Sequence, residues 1–244
     1  MMMKNLKKIT IKDNIYYLDY LNYSWRYSLA ENKEYKLYNI NIYVKDKFTN
    51  PVNVQEIIDM LKVNLPEVMF EEIDAIYIGN FEMLISHDLN ALYSDGAIYV
   101  SNVQDNEQDL IDDIVHEIGH ALESKYSYII YGDGKLEQEF ISKRVRLYTT
   151  LKDMGYEPNQ ELFLNSEYNK ELDLYLYKEV GYDTINIICA NSGFFTSAYA
   201  TTSIREYYAS GFEYYFLDER KYLKQICPRL HEKIRNIHEQ CQDM

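Results

Sequence analysis

Several features that would mark particular protein classes are scarce in this sequence of 244 residues. It has 3 cysteines, 4 prolines and 9 glycines, and no run approaches the roughly 18–20 apolar residues that span a bilayer. The cysteines are odd in number and form no C-x-x-C pair, so a disulfide framework is not expected and a reducing compartment fits best. Because no apolar run of that length is present, membrane insertion is not expected.

The first twenty residues also lack the apolar core of a secretory signal. Three lysines fall among the first eight residues, but Asp13 and Asp19 interrupt the stretch that would have to be apolar. The predicted location is the cytoplasm, or the exterior after release without a signal peptide.

Basic residues are few relative to acidic ones. Lys and Arg number 25 against 39 Asp and Glu, which gives a formal net charge of -14 and a pI near 4.8. A surface this acidic repels phosphate backbones and anionic lipids, so nucleic-acid binding is not expected. The charge mildly favours basic partners, while the oligomeric state stays open.

What the sequence does contain is typical of a globular α+β domain. Hydrophobic residues make up 47% and charged residues 26%, and no repeat or Pro/Ser-rich linker forces a boundary. Residues 1–36 are interpreted as a polar, aromatic lead-in and 37–244 as one domain. Hydrophobic periodicity predicts strands over 37–45, 73–79 and 97–101, and helices over 52–65, 106–126, 135–153, 169–180, 200–217 and 228–240. Because strands precede helices, the predicted class is α+β.

The helix predicted over 106–126 contains the motif H-E-I-G-H. His116 and His120, at i and i+4, lie about 40° apart around a helix axis, so both imidazoles can reach one zinc ion. Glu117 projects to the side, where it can reach a metal-activated water without being a ligand. The opposite face is apolar and is expected to pack on the strands; it carries Ile111, Ile114, Ile118, Ala121 and Leu122.

A catalytic zinc ion needs three protein ligands and one open position, so a third ligand must come from elsewhere. Position 126, where an extended motif would have a third histidine, is Tyr126. Glu123 follows His120 by about one turn and is expected to face solvent. The residues leave open Asp133, Glu137, Glu139 and Glu206, of which Glu206 is the best candidate, although its helix face with Ser210 and Glu213 also fits a solvated acidic stripe.

Three blocks resemble the lethal-factor-type zincins, the metallopeptidases that include the catalytic domain of anthrax lethal factor and the clostridial Pro-Pro endopeptidases. They are H-E-I-G-H-A at 116–121, a tyrosine seven residues before E-Y-Y-A at 206–209, and the tail L-K-Q-I-C-P-R-L-H-E-K-I at 223–234. The resemblance implies a zincin-like fold over about 37–240, with Glu206 as the third zinc ligand and Tyr199 as the residue that stabilises the oxyanion.

Two departures from the family pattern stand out. The stretch between His120 and Tyr199 is much longer than in the relatives, which predicts an inserted helical unit at about 132–190 that covers or lines the cleft. Ser210 stands where relatives often place an acid, and Glu213 is the candidate replacement in support of the ligands. No partner-binding arm of the toxin type is recognised, so the resemblance does not imply a toxin role.

The function that these residues imply is zinc-dependent hydrolysis of peptide bonds in a peptide or protein substrate. Glu117 acts as general base, and the substrate is expected to add as a strand to an edge of the sheet, for which 97–101 is the candidate. Two alternatives stay open. One is a cytosolic zincin that cleaves one regulatory protein, and the other is a non-catalytic binding domain in which zinc only holds the fold together.

Overall fold

The structure, a computed structural model, describes residues 33–217 and 220–242. It has a five-stranded mixed sheet and a larger set of helices, in agreement with the predicted α+β class. The strands are β1 (Lys33–Leu37), β2 (Ile40–Val44), β3 (Ala75–Gly79), β4 (Ala91–Ser94) and β5 (Ala97–Ser101). The helices are α1 (Val54–Asn64), α2 (Glu82–His87), α3 (Glu107–Tyr131), α4 (Lys135–Asp153), α5 (Gln160–Phe163), α6 (Lys170–Leu174), α7 (Tyr182–Ser192), α8 (Ile204–Leu217), α9 (Arg220–Ile226) and α10 (Pro228–Gln242). Short 3-10 turns cover Glu67–Phe70 and Tyr199–Thr201, and a π-helical turn, Tyr175–Val180, follows α6.

The sheet has the order β1-β2-β3-β5-β4, in which β2, β3 and β5 run parallel and the two outer strands are antiparallel to their neighbours. The prediction that 97–101 is an edge strand is therefore wrong. The chain enters β5 through a tight turn at Asp95 and Gly96, both of which have positive φ. This turn pairs the short strand β4 with the outer side of β5. The edge on this side of the sheet is β4, a four-residue strand too short for its alternation to be recognised in the sequence.

The first predicted strand, 37–45, is divided in the structure. A turn at Tyr38, whose φ is 53°, separates β1 from β2, and the predicted alternation holds within β2, where Ile40, Ile42 and Val44 are buried. Residues 33–36, which the sequence pattern places in the lead-in, form most of β1. Residues 1–32, the rest of that lead-in, lie outside the described residues.

Helix α3 packs its apolar face against the sheet as predicted, and the five residues expected there are each at most 1% exposed. The helix begins after Asn106, whose side chain accepts hydrogen bonds from the backbone N–H groups of Gln108 and Asp109. It continues to Tyr131, beyond the predicted end at Tyr126, where the backbone is locally non-helical. The core therefore holds the H-E-I-G-H turn rigidly against the strands.

Helix α8 crosses α3 at small residues. A Cβ atom added at Gly119 would lie 3.3 Å from the Cα of Ala209 and 3.4 Å from the Cβ of Phe212, which is tighter than ordinary van der Waals contact. Because the two helices can approach this closely, the first turn of α8 reaches the histidine face of α3.

The segment 132–190, predicted as an inserted unit, contributes to the core through α4. Leu136, Phe140, Leu147 and Leu151 are fully buried, and so is Arg144 on the same helix. The Arg144 guanidinium donates hydrogen bonds to the carbonyls of Thr201 and Thr202 at 2.9 and 3.1 Å, and to the carbonyl of Asn165. Helix α4 thus holds the turn that leads into α8.

Within the described ranges, no helix combines the length and apolar character that crossing a membrane requires.

Candidate metal centre

The structure brings the two predicted histidines and the best-ranked carboxylate together. The Oε2 atom of Glu206 lies 3.0 Å from Nε2 of His116 and 3.4 Å from Nε2 of His120. One ligand atom from each of the three residues lies within 4.8 Å of the other two, and the side chains are only 12–17% exposed. Among the described residues this is the one group of three or more side chains that could hold a metal ion.

Glu206 reaches this position from the first turn of α8. The Ser203 hydroxyl accepts a hydrogen bond from the Glu206 backbone N–H at 3.2 Å, which caps the helix. In a capping box the glutamate of such an S-x-x-E sequence turns back to the serine N–H. Here the Glu206 carboxylate points across to α3 instead, so the solvated acidic stripe considered for this face does not describe Glu206.

Each histidine also faces a second carboxylate through its other ring nitrogen. Nδ1 of His116 lies 3.5 Å from Oε2 of Glu213, and Nδ1 of His120 lies 3.1 Å from Oε2 of Glu123. A carboxylate at Nδ1 favours the tautomer whose Nε2 lone pair is free for a metal. Two such imidazoles and one carboxylate oxygen form a donor set that suits zinc.

Glu123 corrects the prediction that it faces solvent. Its side chain is 7% exposed and is enclosed by α3 and α8. Both Nε and Nη2 of Arg205 lie 2.8 Å from its Oε2, and the Tyr131 hydroxyl donates to its Oε1. The missed signal was its spacing, because a residue three positions after His120 lies on the same face of the helix.

We expect Glu123→Gln to weaken zinc binding by about 10- to 100-fold, because the amide holds the His120 ring less firmly and makes it less basic. The measurement is competition for zinc with a chromophoric chelator. Glu71→Gln is the matched control, since Glu71 is an exposed acid whose carboxylate pairs with Lys125, which lies on α3 as Glu123 does. An affinity within threefold of wild type would mean that Glu123 does not orient the ligand.

Without a metal, the imidazoles of His116 and His120 hold protons and the Glu206 carboxylate stays ionised. Burial alone would lower the pKa of both imidazoles, but hydrogen bonds to Glu206 and Glu213 raise the pKa of His116 to about 10, and those to Glu123 and Glu206 raise the pKa of His120 to about 9. Burial alone would raise the pKa of Glu206, yet the two imidazoles hold it at about 2. Protons therefore stabilise the metal-free cluster, and metal binding must release them.

Glu117 lies beside the three potential ligands but outside their group. Its side chain is buried, and its Oε2 atom accepts a hydrogen bond of 2.6 Å from the backbone N–H of Tyr93 on the edge strand β4. Burial raises the pKa of Glu117, while His120 and His116 oppose that shift. An orientated carboxylate with a raised pKa is suited to accept and return a proton.

One turn before Glu117, Asp113 is a titratable group that the sequence interpretation missed. Burial raises its pKa from 3.8 to about 7, although a 2.9 Å hydrogen bond from Gln104 opposes the shift. The folded state therefore binds this proton more tightly than the unfolded state, so the group's contribution to stability is lost as pH rises from about 4 to 7.

We expect Asp113→Asn to remove this pH dependence, because asparagine keeps an oxygen for Gln104 and cannot ionise. Between pH 5 and pH 8 the metal-free wild type should lose roughly 2–3 kcal/mol more stability than the variant. Urea unfolding at both pH values in the presence of chelator measures the difference. Parallel pH profiles for the two proteins would contradict it.

Tyr199 lies near the cluster, in the 3-10 turn that precedes α8. Its ring centroid is 6.3 Å from that of His116, and the residue is 36% exposed. Burial, together with the nearby carboxylates of Glu206 and Asp173, raises its pKa, so the phenol keeps its proton at neutral pH. Tyr199 can therefore donate a hydrogen bond toward the site.

The other candidates have different partners. The carboxylate of Asp133 pairs with Lys233, that of Glu137 accepts from Ser166, and that of Glu139 accepts from the first turn of α10. The three histidines outside the H-E-I-G-H motif also lie elsewhere, since His87 is exposed on α2 and His231 and His238 pack against Tyr215. None of these groups joins the His116 cluster in the described part of the chain.

Comparison with known proteins yields no match to a protein-family model, to a curated protein or to a solved structure. The resemblance to lethal-factor-type zincins therefore stays a prediction from three short motifs.

Proposed function

We propose that this chain is a zinc-dependent endopeptidase with a zincin-like active site. The observation that carries the proposal is the convergence of His116, His120 and Glu206, while Glu117 is held one residue away and outside the group. Two imidazoles and one carboxylate are three ligands, which is the number that catalytic zinc sites use.

Zinc would be held by the Nε2 atoms of His116 and His120 and by the carboxylate of Glu206. When bound, it supplies Lewis acidity that brings the pKa of a coordinated water to about 7 and polarises a carbonyl group. Glu213 and Glu123 orient the two histidines from behind.

Glu117 performs the proton transfers. Its Oε2 atom is fixed by the Tyr93 N–H, which leaves Oε1 as the atom available to take a proton from the attacking water. The same carboxyl group then delivers that proton to the leaving amine nitrogen. One carboxyl group held in place beside the ligands can thus serve as base in the first transfer and as acid in the second.

Tyr199 is proposed to donate its phenolic hydrogen to the oxyanion that forms at the attacked carbonyl. Tyr199→Phe should lower kcat by about 100-fold or more with little change in KM, because the bond forms chiefly in the transition state. Steady-state kinetics on an internally quenched peptide measure the effect. Tyr168→Phe is the matched control, since that hydroxyl donates to Asp173 at 2.9 Å, and equal losses in both variants would refute the role of Tyr199.

The substrate is proposed to lie along β4, which replaces 97–101 as the strand that accepts it. The N–H of Tyr93 points away from β5 toward Glu117, so the open side of β4 runs directly beside the cluster. A peptide added there as a strand would bring a scissile bond to the general base.

A zinc ion that serves only to stabilise the fold is a weaker proposal. Structural zinc favours four closed ligands, usually with cysteine. Cys189, Cys227 and Cys241 are buried, and none belongs to the His116 group. A buried Glu117 turned toward the site would also have no purpose in such a protein.

The decisive experiment is digestion of a diverse peptide library by the zinc-loaded protein, read by mass spectrometry. Cleavage should depend on zinc, stop with chelator and be absent from Glu117→Gln. Zinc binding at one equivalent without cleavage of any peptide would instead support the structural alternative.

A further inference from the structure

A depression of about 400 Å³ opens beside His120, and Tyr199 is not among the residues that line it. Its walls come from Tyr93 on β4, from Glu123 and Tyr131 on α3, and from Arg205 at the start of α8; Glu167, in the loop before α6, completes the rim. A peptide that lies along β4 and across His120 would place a side chain over this depression.

The charges around the depression are unequal. Both Nε and Nη2 of Arg205 are 2.8 Å from Oε2 of Glu123, so the guanidinium is neutralised by a carboxylate behind it. Glu167 is exposed on the rim, and none of the ion pairs within 33–217 and 220–242 includes it. Glu167 therefore presents a carboxylate at the rim that no ion pair in the described ranges neutralises, on a protein whose net charge is -14.

The remaining wall suits the stem of a long side chain. The rings of Tyr93 and Tyr131, together with Ile204, provide apolar surface between His120 and the rim. Lysine and arginine bury their methylene groups along such surface and keep the charged head at a polar edge.

We propose that this depression is a substrate subsite that selects lysine or arginine next to the scissile bond, with Glu167 pairing with its cationic head. The proposal rests on the peptidase function proposed above. Because the pair would be partly solvent-exposed, the expected preference over alanine is about fivefold, and a larger penalty is expected for glutamate. The preference should weaken as salt is added.

The test uses quenched peptides of one sequence in which the residue on either side of the cleaved bond is Lys, Arg, Ala or Glu. The full-length zinc-loaded protein should show the highest kcat/KM for Lys and Arg. Glu167→Gln should abolish this preference and Glu167→Lys should reverse it toward Glu. Glu171→Gln, which removes an exposed acid on α6 outside the depression, should leave the preference unchanged.

A binding measurement separates failure of this inference from failure of the peptidase proposal. Fluorescein-labelled Lys and Glu peptides are titrated with zinc-loaded Glu117→Gln, with and without Glu167→Gln, and read by polarisation. Tighter binding of the Lys peptide that is lost with Glu167→Gln supports the subsite even if no peptide is cleaved. Cleavage or binding that ignores the charge of the peptide, or a preference that survives Glu167→Gln, overturns it.

Discussion

Glu117→Gln is expected to abolish measurable peptide hydrolysis, with kcat reduced by about 10²–10⁴-fold, and to leave zinc bound. The loss follows because an amide cannot accept the proton of the attacking water. The side chain should stay in place, since the glutamine carbonyl can still accept the 2.6 Å hydrogen bond from the Tyr93 N–H. The fold should also tolerate the change, because the substitution removes a buried acid rather than adding a charge.

Single-turnover digestion of the best library peptide, with zinc content measured by atomic absorption, tests this result. Glu171→Gln, an exposed change on α6, is the control for general effects of losing one carboxylate. Normal turnover by Glu117→Gln would end the proposed mechanism. Loss of zinc together with loss of turnover would leave Glu117 as a residue that supports the ligands.

His116→Ala and Glu206→Ala are each expected to weaken zinc binding by much more than 100-fold, beyond the effect of residues that only support a ligand. Each substitution removes one of three groups whose ligand atoms meet within 4.8 Å. Zinc affinity is measured by chelator competition, and circular dichroism reports whether the fold survives.

Glu213→Gln provides the graded control for these two variants. Its carboxylate lies 3.5 Å from Nδ1 of His116 and is 25% exposed, so its loss should cost about tenfold in affinity or less. If Glu206→Ala bound zinc as well as Glu213→Gln does, Glu206 would not be a ligand and the proposed centre would lack its third group.

Zinc affinity should also fall steeply as the pH is lowered, because two imidazoles must give up their protons to bind the metal. The elevated pKa values of His116 and His120, about 10 and 9, belong to the metal-free state and come from the carboxylates that surround them. The same carboxylates therefore stabilise either protonated imidazoles or a bound zinc ion. Protons and zinc compete for the ring nitrogens, and zinc binds where the proton concentration is low.

Local sequence patterns predicted the elements that build the site. Helix α4 and strand β5 begin and end where the patterns placed them, and α3 begins within one residue of its predicted start. These elements have long or regular periodicity and clear end signals, Gly132 to Gly134 among them. The i, i+4 spacing of His116 and His120 is likewise a property of any helix, so their shared face was predictable without knowledge of the fold.

The elements that the patterns missed are short or irregular. Strand β4 has four residues, and α2 and α9 fall in stretches for which no helix is predicted. Helix α7 lies mostly within the predicted helical insertion at about 132–190 but outside the helices assigned there. The edge position of β4 depends on the two-residue turn that pairs it with β5. Such pairing cannot be predicted from the alternation of residues within one strand.

Thus the local order of residues in the chain determines that one helix carries the imidazoles of His116 and His120 beside the carboxylate of Glu117, because helical geometry relates neighbours a turn apart. Which acids meet those imidazoles depends on contacts between residues 86 to 97 positions apart, as with Glu206 and Glu213. Those contacts arise from the close crossing at Gly119 and from the buried Arg144 behind the turn before α8. Glu123 shares a face of α3 with His120 by spacing alone, but its carboxylate is also covered by Arg205, which lies 82 positions further along the chain on α8.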